Sequence, residues 1–532
     1  MIGSQHSPTP PRSPNRLSIP EKPPALLRFF FLFLLFWSFY EVNAAYARTD
    51  VVHPITREQT PYFEWSDRAR VAYEKVLQLR FREAQSYINR LKINEPDNLI
   101  VHHIENYRDF FTVYLNEDQA EFNRLERNKD DRLNAIEEGD EDSPYYLYLQ
   151  ANIRLQWALA RLKFREYATA VFEINKAYKL LVKNQKRFPD FMPNRKDLGI
   201  LHALAGTVPE NYRWAMELLT ALDGTYADGR RELEEVIAYA QSNDFVFEKE
   251  LYVSYAYLLL QLGKDDAGAW NVIREGDLSP DTSPMDCFVM ANMAMRSGRN
   301  DRAIELLLHR PAGRTFHPFP YLDFMLGNAK LRRGDADADV YLKKYLAEHR
   351  GKNFLKETYQ RLAWYALLNG NPNGYQSYLR EVDRHGTTDE SSDAVAQRAY
   401  DTQERPDPDL LRARLLFDGG YLDRSYELLT SMRNRSFAHP ALQLEYTYRF
   451  ARLTHEMGRT DEALDLYQQT ILHGRDRPEY YACRAALERG HIYEQRRNRE
   501  AARRAFHTCL DIDPDEHRSD LHHKAKAGLS RL

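Results

Sequence analysis

The stretch GHIYEQRRNREAARRAFHTCLDIDP, Gly490–Pro514, decides the fold. It reads as two amphipathic helices joined by a short polar turn, with small residues at Gly490, Ala502 and Cys509, rings at Tyr493 and Phe506, and a closing Pro514. Small residues let two helix backbones approach closely, and aromatic ones fill the groove between neighbouring hairpins. Earlier in the chain, glycines return in similar phrases: LLLQLGKDDAGAW (Gly263), MAMRSGRNDRAIELL (Gly298), NAKLRRGDADADVYL (Gly334) and WYALLNGNPNGYQSYL (Gly370). Their separations of 35, 36 and 36 residues lie close to the roughly 34-residue period of a helix–turn–helix repeat. After a longer gap, GGYLDRSYELL (Gly420) and EMGRTDEALDLY (Gly458) resume the pattern. Each glycine follows one amphipathic helix and precedes another, where a left-handed residue turns the chain.

On these positions the chain resembles the tetratricopeptide repeat family. The signature falls on Gly490, Tyr493, Ala502, Phe506, Cys509 and Pro514 in the opening stretch, and on Gly458, Ala463 and Tyr467 one unit earlier. In that earlier unit Ala451 and Thr454 replace the small and aromatic residues of the first helix. RNDRAIELL matches through Gly298, Ala303 and Leu307, and FREAQSYINRLKINEPDN through Ala84, Ile88, Leu91 and Pro96. REYATAVFEINKAYKLL fits more loosely through Ala170, Ile174 and Ala177. The resemblance covers 240–532 well and 65–182 in part. It implies an all-α, right-handed solenoid of helical hairpins, closed by a capping helix over Ser519–Leu532. Phrases such as LAWYALLNGN, LLRARLLFDGGY and KAKAGLSRL are similar to bacterial, signal-bearing members of the family without an assigned activity.

The N-terminus reads as an address. A positive flank (Arg12, Arg16, Lys22, Arg28) precedes FFFLFLLFWSFY, Phe29–Tyr40, and Ala45–Tyr46–Ala47 has the small-x-small form of a signal peptidase site. An apolar run of about 12 residues reaches roughly 18 Å as a helix against about 30 Å of hydrocarbon. A cleaved signal is therefore expected, with an inner-membrane anchor through residues 29–40 as the alternative; no cysteine follows for lipid attachment. Cleavage places the protein in the periplasm or at the outer membrane. Over the whole chain the formal charge is −4, and no basic field points to nucleic acid. Three cysteines, Cys287, Cys483 and Cys509, are too few for a disulfide scaffold or a zinc site. Cys483 and Cys509 lie where one hairpin would bring them together, which leaves a disulfide open.

The expected organisation is a signal or anchor at 1–47, N-terminal hairpins at 48–182, a non-repeat helical insertion at 183–240, and a C-terminal array with its cap at 241–532. Residues 116–143 are largely charged and read as an exposed helix with an acidic loop. KNQKRFPDFMPNRK, 183–196, ends a helical unit at Pro189 and Pro193. In the segment that follows, ALAGT (203–207) and ALDGT (221–225) repeat one phrase. Neither fits a phosphate loop, which needs a longer glycine-rich turn ending in Lys-Ser/Thr after a strand. They read instead as caps: Gly206 ends a helix, Thr207 and Glu210 cap the next from Pro209 to Leu222, and Thr225 with Asp228 repeats the arrangement after Gly224. Residues 386–409 read as a loop with one short helix.

No chemistry stands out. HExxH, GxSxG and CxxC do not occur. The adjacent pairs His102–His103 and His522–His523 would diverge by about 100° on a helix, unlike an i, i+4 metal pair, and read as surface or half-buried. The family's clamp for C-terminal carboxylates needs a basic residue and an asparagine on the first helices. Asn292 and Asn328 take the asparagine place, but Phe288 and Phe324 stand where the base should be. The last repeat is rich in arginine (Arg484, Arg489, Arg496, Arg497, Arg499, Arg503, Arg504), read as a solvated face or a site for an acidic partner. The resemblance thus implies a scaffold without catalytic residues, cofactor or metal. Its partners would be proteins, and a membrane would be touched only through the N-terminal segment, if that segment is uncleaved. A glycan- or solute-binding envelope protein is the alternative, for which the 34 Tyr and 6 Trp could supply stacking rings.

Overall fold

The computed structural model describes residues 60–205, 222–403 and 405–532. The signal segment 1–47, the caps at Gly206, Thr207 and Glu210, and most of the helix expected from Pro209 lie outside them. Among the described residues the protein is an all-α solenoid of tetratricopeptide-like hairpins, with one isolated bridge between Tyr62 and Asn98. Helices α1 (Asp67–Leu77) and α2 (Phe81–Asn94) pair first. α3 (Ile100–Asn116) is followed by the short α4 (Gln119–Leu125) and α5 (Arg127–Glu137). Then come the pairs α6 (Pro144–Lys163) and α7 (Tyr167–Arg187), α8 (Met192–Ala205) and α9 (Tyr226–Ala240), α10 (Glu248–Leu258) and α11 (Asp266–Glu275), α12 (Pro284–Arg296) and α13 (Asn300–Leu308), and α14 (Tyr321–Arg333) and α15 (Ala338–Glu348). α16 (Leu355–Leu368) pairs with α17 (Pro372–Arg384), and α18 (Ser391–Thr402) follows. The last pairs are α19 (Pro408–Asp418) with α20 (Leu422–Ser431), α21 (Pro440–Glu456) with α22 (Thr460–Gly474), and α23 (Tyr481–Gln495) with α24 (Arg499–Asp511). α25 (Arg518–Arg531) covers the final pair. No helix among the described residues is long and apolar enough to cross a membrane.

The starts of these helices are written locally. Pro144, Pro284, Pro372, Pro408 and Pro440 occupy first turns, where the missing N–H costs nothing, and each follows a residue whose side chain accepts a helix N–H. Asp407, for example, accepts from the amides of Asp409 and Leu410 at 3.0 and 3.1 Å. Thr225 caps α9 as its sequence suggests, accepting from Asp228 N at 3.2 Å. The expected turn glycines Gly298, Gly334, Gly370, Gly420 and Gly458 all have positive φ. Gly263 does not. A π-turn, Leu259–Gly263, inserts one extra residue at the end of α10, and the left-handed position passes to Lys264 at φ 53°. A Cβ there would lie 2.5 Å from Tyr226 Oη, so a larger residue would have to displace the end of that half-buried side chain.

Two other expectations are corrected. Residues 116–143 are only partly solvated: the acidic loop with Glu137, Glu138, Asp140, Glu141 and Asp142 is exposed as expected, but Phe122, Leu125, Leu133 and Ile136 are buried, and Lys129 and Arg132 lie in the core, ion-paired with Glu173 and Asp109. Nor is His103 at the surface. It is fully buried on α3, and burial pushes its imidazole pKa down to about 4. The expected helix within 386–409 is α18, and beyond it the stacking changes. α19 packs on α14 as well as on α16, bringing the turn at Gly420 against the turn at Gly298. Apolar packing is continuous from Trp65 to Ala329, running through α8 and α9, and breaks into smaller clusters beyond.

The superhelix winds tightly enough for its turns to touch. Asn353 Nδ2 donates to Glu117 Oε2 at 2.8 Å across 236 residues, and Arg165 pairs with Asp389 across 224. His317 N donates to Leu79 O at 2.7 Å, and its ring meets Asn116 Oδ1 at 2.8 Å. With about 36 residues per hairpin, one turn of the coil takes roughly six and a half hairpins. This closure encloses the cavity described next.

Candidate functional site

A cavity of about 660 Å³ opens on the inner side of the superhelix, within the size range of ligand pockets. One wall is made by two stripes in the same register. α12 presents Phe288, Asn292 and Arg296 at four-residue spacing, and 36 residues later α14 presents Phe324, Asn328 and Arg332. Four-residue spacing places side chains one above another on a helix, so each helix offers a ring, an amide and a guanidinium in a row. Tyr321 and Phe354 extend the aromatic part, with ring centroids 5.0 Å apart. The opposite wall comes from the preceding turn of the coil, through Tyr114 and Glu117 of α3's end and Lys163 of α6.

Hydrogen bonding fixes which way the amides point. Asn292 Oδ1 accepts from Tyr257 Oη at 2.9 Å and from Arg296 Nε at 3.1 Å, while Asn328 Oδ1 accepts from Arg361 Nε at 3.1 Å. A guanidinium can only donate, so the oxygen must face it and the NH₂ groups are left for the cavity. Arg332 NH1 donates to Met295 O at 3.4 Å, and among the described residues no carboxylate lies within 4 Å of Arg296 or Arg332. Burial holds the Arg332 guanidinium below the usual arginine value, opposed by the charges of Asp418 and Glu357 and aided by those of Arg361 and Arg296. Four acids line the cavity as well, Glu117, Glu357, Glu390 and Asp418. Glu117 pairs with Lys163, Glu357 with Arg361 at 2.5 Å, and Asp418 lies 3.6 Å from Arg414. The stripes themselves present hydrogen-bond donors beside aromatic surface, in a cavity whose lining also carries carboxylates.

No family model matches this chain. No curated protein matches it either. Among solved structures it is similar to the crystal structure of the APC/C hetero-tetramer Cut9–Hcn1, with 12% identity over 85% of this chain and 95% of that one, at a TM-score of 0.22.

The signature residues occupy packing positions. Ala84, Ala303, Ala463 and Ala502 are fully buried in α2, α13, α22 and α24, and Tyr467 and Phe506 are buried beside them. Gly490 is buried on α23, where a Cβ would come within 2.3 Å of the Phe506 ring. Gly298 and Gly458 turn the chain, Tyr493 is half-buried, Pro514 is buried after α24 and Pro96 is exposed after α2. None of them lines the cavity. The line of Phe288, Asn292, Phe324 and Asn328 was visible in the sequence as the place of the clamp. Arg296 and Arg332 were not singled out, although each stands one helical turn beyond its asparagine. Of the arginines of the last repeat, Arg484 pairs with Glu488, Arg496 with Asp461 and Arg504 with Glu500.

A second polar assembly lies in the N-terminal core. Lys196 Nζ sits 2.8 Å from Glu250 Oε2 and 3.0 Å from Asp197 Oδ1, and all three side chains are fully buried. Tyr73 and Tyr107 donate to Glu250, and Asn152 Nδ2 donates to Asp197 at 3.2 Å. His103 Nε2, Gln156 Nε2 and Asn152 Oδ1 extend the chain towards Asn106 and the Arg132–Asp109 pair. Burial pushes Glu250 up to about 7 and Asp197 to about 6, against the opposing pull of Lys196. No solute reaches these groups while the layer is folded. They specify how α1, α3, α6, α8 and α10 meet.

Proposed function

We propose that the protein is a non-enzymatic scaffold of the bacterial cell envelope that holds a segment of a partner protein in the axial cavity. The observation that carries this reading is the pair of in-register stripes, Phe288–Asn292–Arg296 and Phe324–Asn328–Arg332. Backbone carbonyls and acidic side chains of a peptide meet the donors, and its apolar side chains meet the rings. Export rests on the segment Phe29–Ala47. The alternative, a saccharide-binding protein, needs free aromatic faces. Trp65 and Trp157 are spent in the core, Trp270 is covered by Arg299, and Trp364 lies between Arg361 and Arg414. The tryptophans of the described residues therefore give the alternative no support.

The test is cross-linking in cells followed by mass spectrometry, with a photo-reactive residue in place of Met325 on the cavity wall. Reproducible cross-links to one or a few envelope proteins are expected. Retention of saccharide by the purified protein, with no protein cross-linked, would support the alternative. Fractionation together with the mass of the mature N-terminus tests export, with cleavage after Ala47 expected.

A further inference from the structure

We infer that Cys483 and Cys509 close to a disulfide that staples the last hairpin, the platform on which α25 rests. The pair lies apart from the axial cavity, and the inference depends on the proposed function only for where the oxidant is met. Cys483 stands in the first turn of α23 and Cys509 in the last turn of α24, so the antiparallel packing of the two helices brings them together. Their sulfurs are 3.4 Å apart and both residues are fully buried. A disulfide bond is about 2.05 Å long, so the sulfurs have only about 1.3 Å to close. What they would give up is small. Cys483 Sγ lies 3.3 Å from Cys509 O, and Cys509 Sγ lies 3.8 Å from Leu521 O, and a thiol is a weak donor. Cys287, buried in another layer, donates to Leu306 O and is the internal control.

The two thiols differ in readiness to react. The hydrogen bond from Cys509 favours the Cys483 thiolate, and the charge of Arg484 adds to this against burial. The same bond and burial hold Cys509 protonated. Cys483 therefore attacks first. Its thiolate displaces one thiol from an external disulfide, and Cys509, on losing its proton, attacks the Cys483 sulfur and releases the second. Two protein thiols and one disulfide become one protein disulfide and two thiols. An exported chain meets protein disulfides that serve as this oxidant. Leu521 and Ala525 of α25 are buried in the same apolar cluster as the pair, so the oxidant reaches it when α25 lifts. Phe506 of α24 packs against Gly490 of α23 and Gly528 of α25, which ties the fixed hairpin to the helix that covers it.

Oxidised glutathione, added at pH 8 to the full chain carrying Cys287→Ala, tests the inference by mass spectrometry after alkylation in denaturant. The protein should lose two hydrogens, retain no glutathione and leave no thiol to alkylate. Leu521→Ala, which loosens α25, should speed this loss about tenfold or more. Cys483→Ala and Cys509→Ala should each abolish the loss. Proteolysis within 481–532 should be about tenfold or more slower in the oxidised protein than in the reduced one, and insensitive to oxidant in Cys509→Ala. Thiols that stay free in both the Cys287→Ala protein and its Leu521→Ala form, a stable glutathione adduct on either cysteine, or equal proteolysis of the oxidised and reduced protein would overturn the inference. The thiol state in cells, trapped with acid, is read beside the mass of the mature N-terminus. A disulfide that forms in the purified protein and is absent in cells would tell against export rather than against the pair, so the two failures are distinct.

Discussion

Replacing Lys196 by Met removes the cation from the buried cluster at nearly constant side-chain volume. Glu250 and Asp197 would then share a site with no exposed surface and no counter-charge. Breaking one side of such a pair costs about 3–5 kcal/mol, and the cost should depend on pH in a defined way. In the wild type Glu250 titrates at about 7 and Asp197 at about 6 in the fold, above their ordinary values of 4.5 and 3.8. A raised carboxyl pKa means that the folded protein holds its proton longer than the unfolded chain. Stability therefore falls as pH rises, from the ordinary value up to the folded one. For the wild type that fall is complete by about pH 7. In Lys196→Met both folded pKa values rise further, so the fall continues, adding up to about 1.4 kcal/mol per carboxylate for each pH unit. Urea unfolding followed by tryptophan fluorescence at pH 5.5 and pH 8.5 measures both proteins. The variant should nearly match the wild type at pH 5.5, where the carboxyls are protonated, and lose about 3–5 kcal/mol at pH 8.5. A loss of equal size at both pH values would refute the reasoning, because it would place the effect in packing rather than charge.

Gly490→Ala should destabilise the last hairpin by about 1–3 kcal/mol, because the Phe506 ring is wedged between Gly490 and Gly528 and cannot yield; limited proteolysis near the C-terminus reads this. Thr225→Ala should cost about 1 kcal/mol through the lost cap of α9, and amide exchange over Tyr226–Ala240 should quicken. Cys287 is fully buried, its thiol donates to Leu306 O, and burial pushes its pKa up to about 12. Iodoacetamide at pH 8 should leave it unmodified in the native protein and alkylate it in denaturant. The thiols of Cys483 and Cys509 stand 3.4 Å apart, so a mass difference of two hydrogens between reduced and untreated protein would reveal a bond between them.

Many of the hairpins were legible because their code is local: at five starts a residue that accepts a hydrogen bond before a proline, an amphipathic run, and at several turns a glycine. The cavity was half legible. Its phenylalanines and asparagines repeat at the period of the fold, whereas the place of Arg296 and Arg332 on a cavity wall depends on which turns of the coil meet there, a property of three dimensions. The buried cluster was not legible at all. Helix α6 is enclosed on every side, so Gln150, Asn152, Arg154 and Gln156 are buried along with its apolar residues, and amphipathic periodicity, which assumes one wet face, cannot find them. The packing of α19 onto α14 was hidden too, since it joins helices that start at Pro408 and Tyr321, far apart in the chain, without a local signal.

Arrays of hairpins commonly gain and lose units during evolution, because each unit touches only its neighbours. Here the turn at Gly420 lies against the turn at Gly298, so closely that a Cβ on Gly420 would be 2.1 Å from Gly298 O, and Tyr421 Oη bridges Asp301 and Asn300. Duplicating or deleting any hairpin between them would pull these surfaces out of register. The number of units in this stretch is therefore fixed by geometry, and its variation among descendants of the gene should be confined to substitutions.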